Sequence, residues 1–175
     1  MDSHEDWSQK SLRDLMQHIV GQHHAFTRDA LAAILPLADT VTRDHAGRLP
    51  YLIEVLGLLR ELDDDLRAHL AAEERFLFPF IEELDIASRT PGGQRSPRVE
   101  SLDGPLHAML FEHDHAHDVL SALRTTANGY AAPDDATAPY RDLFKRLVEL
   151  EKDLVLHMFL EREILIPRAR TLAGL

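Results

Sequence analysis

The sequence predicts an all-α protein: an antiparallel four-helix bundle built from two helical hairpins. Three observations point there. Apolar residues recur at three- and four-residue steps through four long segments, and no segment alternates with the two-residue period of a strand. Gly and Pro cluster between those segments, marking two short connections and one longer crossover. The segment Asp65–Pro79 returns 88 residues later as Asp153–Pro167, with Asp, Leu, His, Glu, Leu and Pro at the same six places. The repeat relates the two hairpins by a pseudo-twofold axis.

The first helical stripe is Leu12, Met16, Ile19, His23, Phe26, Ala30 and Ala33, ending near Ala38, with Gly47 and Pro50 closing the segment. The second runs Leu52, Val55, Leu59, Leu62, Leu66, His69, Glu73, Phe76 and Phe80. Residues 88–101 are rich in Ser, Pro, Gly and Arg, the composition of a flexible exposed loop. The third helix is expected over 103–127, with Leu106, Met109, His113, Ala116, Leu120 and Leu123 on one face. Asn128-Gly129 and Pro133 then break the chain. The fourth spans 139–171 through Leu143, Leu147, Leu150, Leu154, His157, Glu161 and Ile164. Pro79 and Pro167 sit inside helical stretches, where a kink or local break is expected.

Composition narrows the function classes. The chain has 175 residues, 45% of them hydrophobic, which fits one globular domain over 1–175 with a real core. No stretch approaches the roughly 18 apolar residues of a membrane span. The acidic start, Met-Asp-Ser-His-Glu-Asp-Trp, is no signal peptide, so a cytoplasmic protein is expected. Cysteine is absent, which removes disulfides, thiolate ligands and cysteine nucleophiles. A net charge of -11 argues against nucleic acid and anionic membrane surfaces as partners. Eleven histidines are more than structural roles commonly use.

Within each repeat a His and a Glu stand four apart: His69 and Glu73, His157 and Glu161. On a helix this spacing puts both side chains on one face, one turn apart. Both glutamates fall in the apolar stripe, where an unpaired carboxylate costs several kcal/mol (about 2–7). A core-facing carboxylate needs a cation or a proton. Two such helices offer two imidazoles and two carboxylates to one point, a donor set for a pair of metal ions, iron first among them. His113 continues the third stripe; His117 lies one turn on, and His115 points away. On the first helix His23 fits the stripe and His24 lies beside it, so periodicity does not choose between them. Periodicity places His45 in a loop.

The pattern His23-His24-Ala-Phe-Thr-Arg, then His45-Ala-Gly-Arg-Leu-Pro, then His69-x3-Glu73 with Leu-Phe-Pro, then Met109-x2-Glu-His113, then His157-x3-Glu161 with Ile-Leu-Ile-Pro resembles the hemerythrin-like di-iron proteins. It is most similar to their repair-of-iron-centres branch, over roughly His18 to Arg168. The resemblance implies a non-haem centre of two iron ions, cycling between Fe2+ and Fe3+, with an oxo or hydroxo bridge. It implies His24, His45, His69, His113 and His157 as ligands and Glu73 and Glu161 as bridges. Three departures stand out. The small N-terminal cysteine domain of the branch is lacking, Arg162 stands where Asn is common, and the Asp bridge of oxygen-carrying hemerythrins is absent.

By that resemblance the chain is expected to bind and react with nitric oxide, oxygen or peroxide in oxidative or nitrosative stress, and to donate iron for iron–sulfur centre repair. A redox or iron–sulfur protein is the implied partner. The alternative is a non-catalytic sensor or carrier of oxygen, nitric oxide or iron. A structural bundle holding zinc or manganese is a third reading. Phe26, Phe76 and Met158 are expected around the site, first of all as packing.

Overall fold

A computed structural model describes residues 6–89 and 102–175. Four helical rods run through it, and each is all-helical. The first comprises α1 (Leu12–His18), a π-helical turn (Ile19–His24) and α2 (Ala25–His45). The second comprises α3 (Tyr51–Ala72), a π turn (Glu73–Leu77) and α4 (Phe78–Arg89). The third is α5 (Asp103–Thr126), without a π turn. The fourth comprises α6 (Ala138–Phe159), a π turn (Leu160–Leu165) and α7 (Ile166–Ala173). The predicted four-helix bundle is therefore the observed fold. The loop expected at 88–101 lies outside the described residues, except that Ser88 and Arg89 end α4.

The ends follow local chemistry. Ser11 caps α1 by accepting from the Asp14 N–H at 3.0 Å. Gly174 closes α7 in the left-handed conformation (φ 72°), with the Leu175 N–H donating back to the Arg170 carbonyl. The first rod runs about two turns past the expected end at Ala38, because Ala38 and Val41 continue the buried stripe. His45 is thus the last residue of α2 rather than a loop residue.

In this bundle α2 packs on α3 and α6, α3 packs on α5, and α4 packs on α1 and α7. The core is split in two. One cluster holds Leu31, Ile34, Leu52, Leu59, Leu66, Leu120, Leu143, Phe144 and Leu154. The other holds Leu15, Ile19, Leu77, Ile81, Leu106, Met109, Leu160 and Leu165. Buried His and Glu residues fill the layer between them. Each leucine in either cluster contributes about 2–5 kcal/mol against truncation to alanine.

The π turns correct the predicted stripes. A π turn inserts one extra residue, so the buried face moves by one position beyond it. Upstream of the first turn, Leu15, Met16 and Ile19 are buried; downstream the buried residues are Thr27, Leu31 and Ile34. Phe26 and Ala33 therefore turn outward. The same slip puts Leu77, Phe78 and Ile81 inside and leaves Phe76 72% exposed. In the fourth rod it buries Leu165 and Ile166 and leaves Ile164 half-buried. Two of the turns end two residues before a proline, so that the residue capping each turn, Phe78 or Ile166, directly precedes it. The Phe78 N–H donates to the Glu73 carbonyl, and the Ile166 N–H to that of Glu161. Pro79 and Pro167 have no N–H and crowd the carbonyl four residues back, so the chain widens to five-residue bonds just upstream.

Candidate metal centre

All three π turns carry site residues. His24 ends the first, Glu73 begins the second, and Glu161 is the second residue of the third. The slip in the first turn also explains how His23 and His24 are both buried: the stripe passes from one to the other there. The third rod, which contributes His113, is α-helical throughout Asp103–Thr126.

Six side chains converge in two groups: His24, Glu73, His157 and Glu161 in one, His69, Glu73, His113 and Glu161 in the other. Within each group the ligand atoms lie within 4.8 Å of one another. Both carboxylates belong to both groups. His24 Nε2 stands 3.1 Å from His157 Nε2, and His69 Nε2 stands 3.2 Å from His113 Nε2. Glu161 Oε1 is 3.0 Å from His157 Nε2, and its Oε2 is 3.1 Å from His113 Nε2. Glu73 Oε1 is 3.2 Å from His69 Nε2, and its Oε2 is 3.3 Å from His24 Nε2. The pseudo-twofold exchanges these contacts pair for pair.

The donor set fits a pair of cations. Two nitrogens bound to one ion at about 2.1 Å and near a right angle stand about 3 Å apart. The imidazole pairs are set at that separation. All four oxygens of Glu73 and Glu161 are buried without a hydrogen bond among the described residues, a costly arrangement that bridging cations would relieve. Imidazole and carboxylate together suit iron, manganese or zinc.

Electrostatics say the same of the metal-free cluster. Burial, then the facing Glu161 charge, push the Glu73 carboxyl well above its ordinary range. Burial also acts against ionised Glu161, but the electrostatic pull of the His157 imidazole, with His113 and His24 close to the same carboxylate, outweighs it and holds that carboxyl well below its ordinary range. Glu73 thus holds a proton more readily than Glu161, and cations bound by both would replace it. Burial lowers the His69 imidazole, against the pull of Glu112.

A second layer aims two of the rings. His24 Nδ1 donates to Glu74 Oε1 at 2.8 Å, and Arg28 donates to the same oxygen at 2.8 Å. His69 Nδ1 donates to Glu112 Oε2 at 2.7 Å. Such carboxylates fix the ring and raise its basicity toward a metal. Glu74 and Glu112 carry no periodic signal, since both are at least partly exposed; only adjacence to Glu73 and His113 marks them.

The structure brings together His24, His69, Glu73, His113, His157 and Glu161, and it does not bring His45 with them. His45 lies 21 helical residues from His24, roughly 30 Å along the rod at 1.5 Å per residue. There it meets the Thr137 hydroxyl at 3.2 Å and the Tyr140 ring at 5.6 Å. A straight rod cannot return it to the centre. Nor do Phe26 and Phe76 close over the site; both face outward, while Met158 packs partly buried against the core. His115 is exposed beside Asp65 and Glu61.

A four-helix bundle with buried paired His and Glu on π turns defines a cation-binding helical class. Comparison with known proteins agrees. Residues 15–169 match the model of the hemerythrin HHE cation binding domain, and the chain belongs to that family. It is similar to the iron-sulfur cluster repair protein YtfE of Dickeya chrysanthemi (strain Ech1591), 32% identical over 94% of this chain and 68% of that one. The YtfE protein of Edwardsiella ictaluri (strain 93-146) is 32% identical over 96% of this chain and 70% of its own. That of Escherichia coli O81 (strain ED1a) is 31% identical over 97% and 70%. No helix among the described residues is long and apolar enough to cross a membrane.

Proposed function

We propose that this chain holds two iron ions through His24, His69, His113 and His157, with Glu73 and Glu161 as bridges. The protein then binds and reacts with nitric oxide, oxygen or peroxide under oxidative or nitrosative stress, and donates iron for the repair of iron–sulfur centres. The sharing of both glutamates by two convergent ligand groups carries this reading. The likeness to iron–sulfur cluster repair proteins supports the repair role.

Each ion would receive two nitrogens and two oxygens from the chain, leaving positions free on an ion that prefers six ligands. Iron bound there would supply one-electron redox chemistry and affinity for small diatomics. The chain's own residues do the rest. Glu73 and Glu161, shared by both ligand groups, would hold both ions. Glu74 and Glu112 aim His24 and His69. The two leucine-rich clusters above and below exclude bulk water. This chain carries no cysteine, so its own residues here supply no thiol chemistry.

The test is metal content and the ultraviolet–visible spectrum after reconstitution with ferrous iron. About two irons per chain and near-ultraviolet ferric bands are expected. Less than one iron per chain would overturn the proposal. Exposure of the reduced protein to nitric oxide or oxygen then separates repeated consumption, expected for reaction, from one stable adduct, expected for a carrier.

A further inference from the structure

We propose that His23, anchored by Asp153, is a positioning residue for His157 and makes the two halves of the centre unequal. The inference rests on the reading of the site as a metal centre. Its starting point is the pseudo-twofold, which exchanges His69 with His157, Glu73 with Glu161, and His113 with His24, as the matched contacts show. Carried one residue back, the axis exchanges Glu112 with His23. Glu112 accepts from His69 Nδ1 at 2.7 Å. The Nδ1 of His157, the equivalent atom, is buried and has no hydrogen-bond partner among the described residues.

In place of a carboxylate, His157 meets a ring. The His23 and His157 imidazoles are parallel within 4°, with centroids 5.7 Å apart. The Nδ1 of His23 is held by Asp153 Oδ1 at 3.0 Å, and Asp153 lies one turn before His157 on the same rod. The outer side of His23 is closed by the edge of His18, 5.4 Å away, and Trp7 stacks on His18 at 4.2 Å. Three side chains thus fix a buried ring against His157. His23 is not itself a ligand, because its nitrogens are absent from the converging groups. Its buried Nε2 has no partner among the described residues, which plain packing would avoid by placing an apolar residue there.

The consequence is chemical. A carboxylate on Nδ1 raises the donor strength of an imidazole; a stacked ring orients it without accepting that hydrogen bond. Each half has one ring backed by a carboxylate, since His113 Nδ1 is also buried without a partner, but the balance is not restored, because Arg28 neutralises Glu74 whereas Glu112 has no Arg or Lys in contact among the described residues. The ion between His24 and His157 is held less tightly than the ion between His69 and His113, and its grip depends on the His23 ring.

The experiment uses full-length protein loaded with ferrous iron, challenged with a ferrous chelator and followed by the charge-transfer spectrum. His23→Phe keeps a ring and removes the Asp153 bond; Asp153→Asn keeps the shape and removes the charge. Each is expected to speed loss of one of the two irons about tenfold, with a shifted spectrum. His23→Glu, which places a carboxylate at the Glu112-equivalent position, is expected to slow that loss below the wild-type rate. Unchanged release and spectra in both His23→Phe and Asp153→Asn would overturn the inference while leaving the centre in place. Failure of wild type to hold iron would overturn the centre instead. Nitrogen-15 spectra of His157 in metal-free protein then judge the positioning alone: altered ring signals in Asp153→Asn support it, and unchanged ones refute it.

Discussion

Replacing Glu73 by Gln should stabilise the metal-free protein and at the same time abolish its stabilisation by metal. Glu73 is 2% exposed, and neither carboxylate oxygen has a hydrogen bond among the described residues. It faces Glu161, which stays ionised. Keeping this carboxyl buried costs about 1–3 kcal/mol, whether as an unsatisfied acceptor or through the proton it takes up on folding. Glutamine has the shape of the protonated acid and can donate to Glu161, so most of that cost should be recovered. In a domain of this size each kcal/mol moves Tm by about 2–4 °C, giving a rise of roughly 2–12 °C in chelator at neutral pH. Ferrous iron at a hundred times its Kd should add about 2.7 kcal/mol to wild type and nothing to Glu73→Gln. The order of the two melting temperatures should therefore invert on adding iron. The pH dependence has a fixed sign. Glu73 is raised in the folded state, so its contribution is complete below the ordinary carboxylate range and is lost as pH rises through the folded value. The advantage of the variant should vanish near pH 4 and grow upward from there. Calorimetry or thermal shift with and without iron checks it. A variant destabilised equally in both conditions, at every pH, would refute the electrostatic reasoning.

Three further outcomes are expected. His45→Ala should leave iron content unchanged and lower stability by about 0.5–1.5 kcal/mol, the worth of its Thr137 hydrogen bond, whereas alanine at His24, His69, His113 or His157 should each cut iron retention at least about tenfold in a chelator competition. Iron uptake should compete with the proton that burial favours on Glu73, so titration calorimetry in buffers of different ionisation heat should show proton release, and apparent affinity should rise with pH. Pro167→Ala restores an N–H that can donate to the Glu163 carbonyl in ordinary α geometry; it should keep the helical circular dichroism and weaken iron retention by re-aiming Glu161, read as faster chelation.

The bundle was legible because a period of 3.6 is set by backbone geometry and repeats many times along each rod. Leu52, Val55, Leu59, Leu62 and Leu66 all lie inside as that period demands. His69 with Glu73, and His157 with Glu161, were legible for the same reason, since each pair lies upstream of or just at a slip. The period fails beyond them. A stripe continued at constant pitch through Glu73 arrives at Phe76 and Phe80, while the chain buries Leu77, Phe78 and Ile81. Pro79 and Pro167 marked two of the three slips in advance, though as kinks. The first turn has no proline, and nothing in the local pattern separates His23 from His24 until both are seen to be buried.

His45 shows where resemblance and physics part. A shared pattern of histidines nominated it, yet rod length alone speaks against it. Ala38 and Val41 extend the first stripe, and a helix unbroken to residue 45 carries His45 roughly 30 Å from His24. One ligand per rod turn is the rule that the six converging residues obey. Each of the three π turns among the described residues, on the first, second and fourth rods, lets the chain present an extra inward position at one level without abandoning the core above or below. A strictly α-helical rod offers one inward residue per turn, so His69 and Glu73 already take two successive turns of the second rod. The slip that follows returns Leu77 and Phe78 to the core at the next turn. Two leucine-rich clusters can then sandwich a fully polar layer, and neither cluster is interrupted by the residues that make the site.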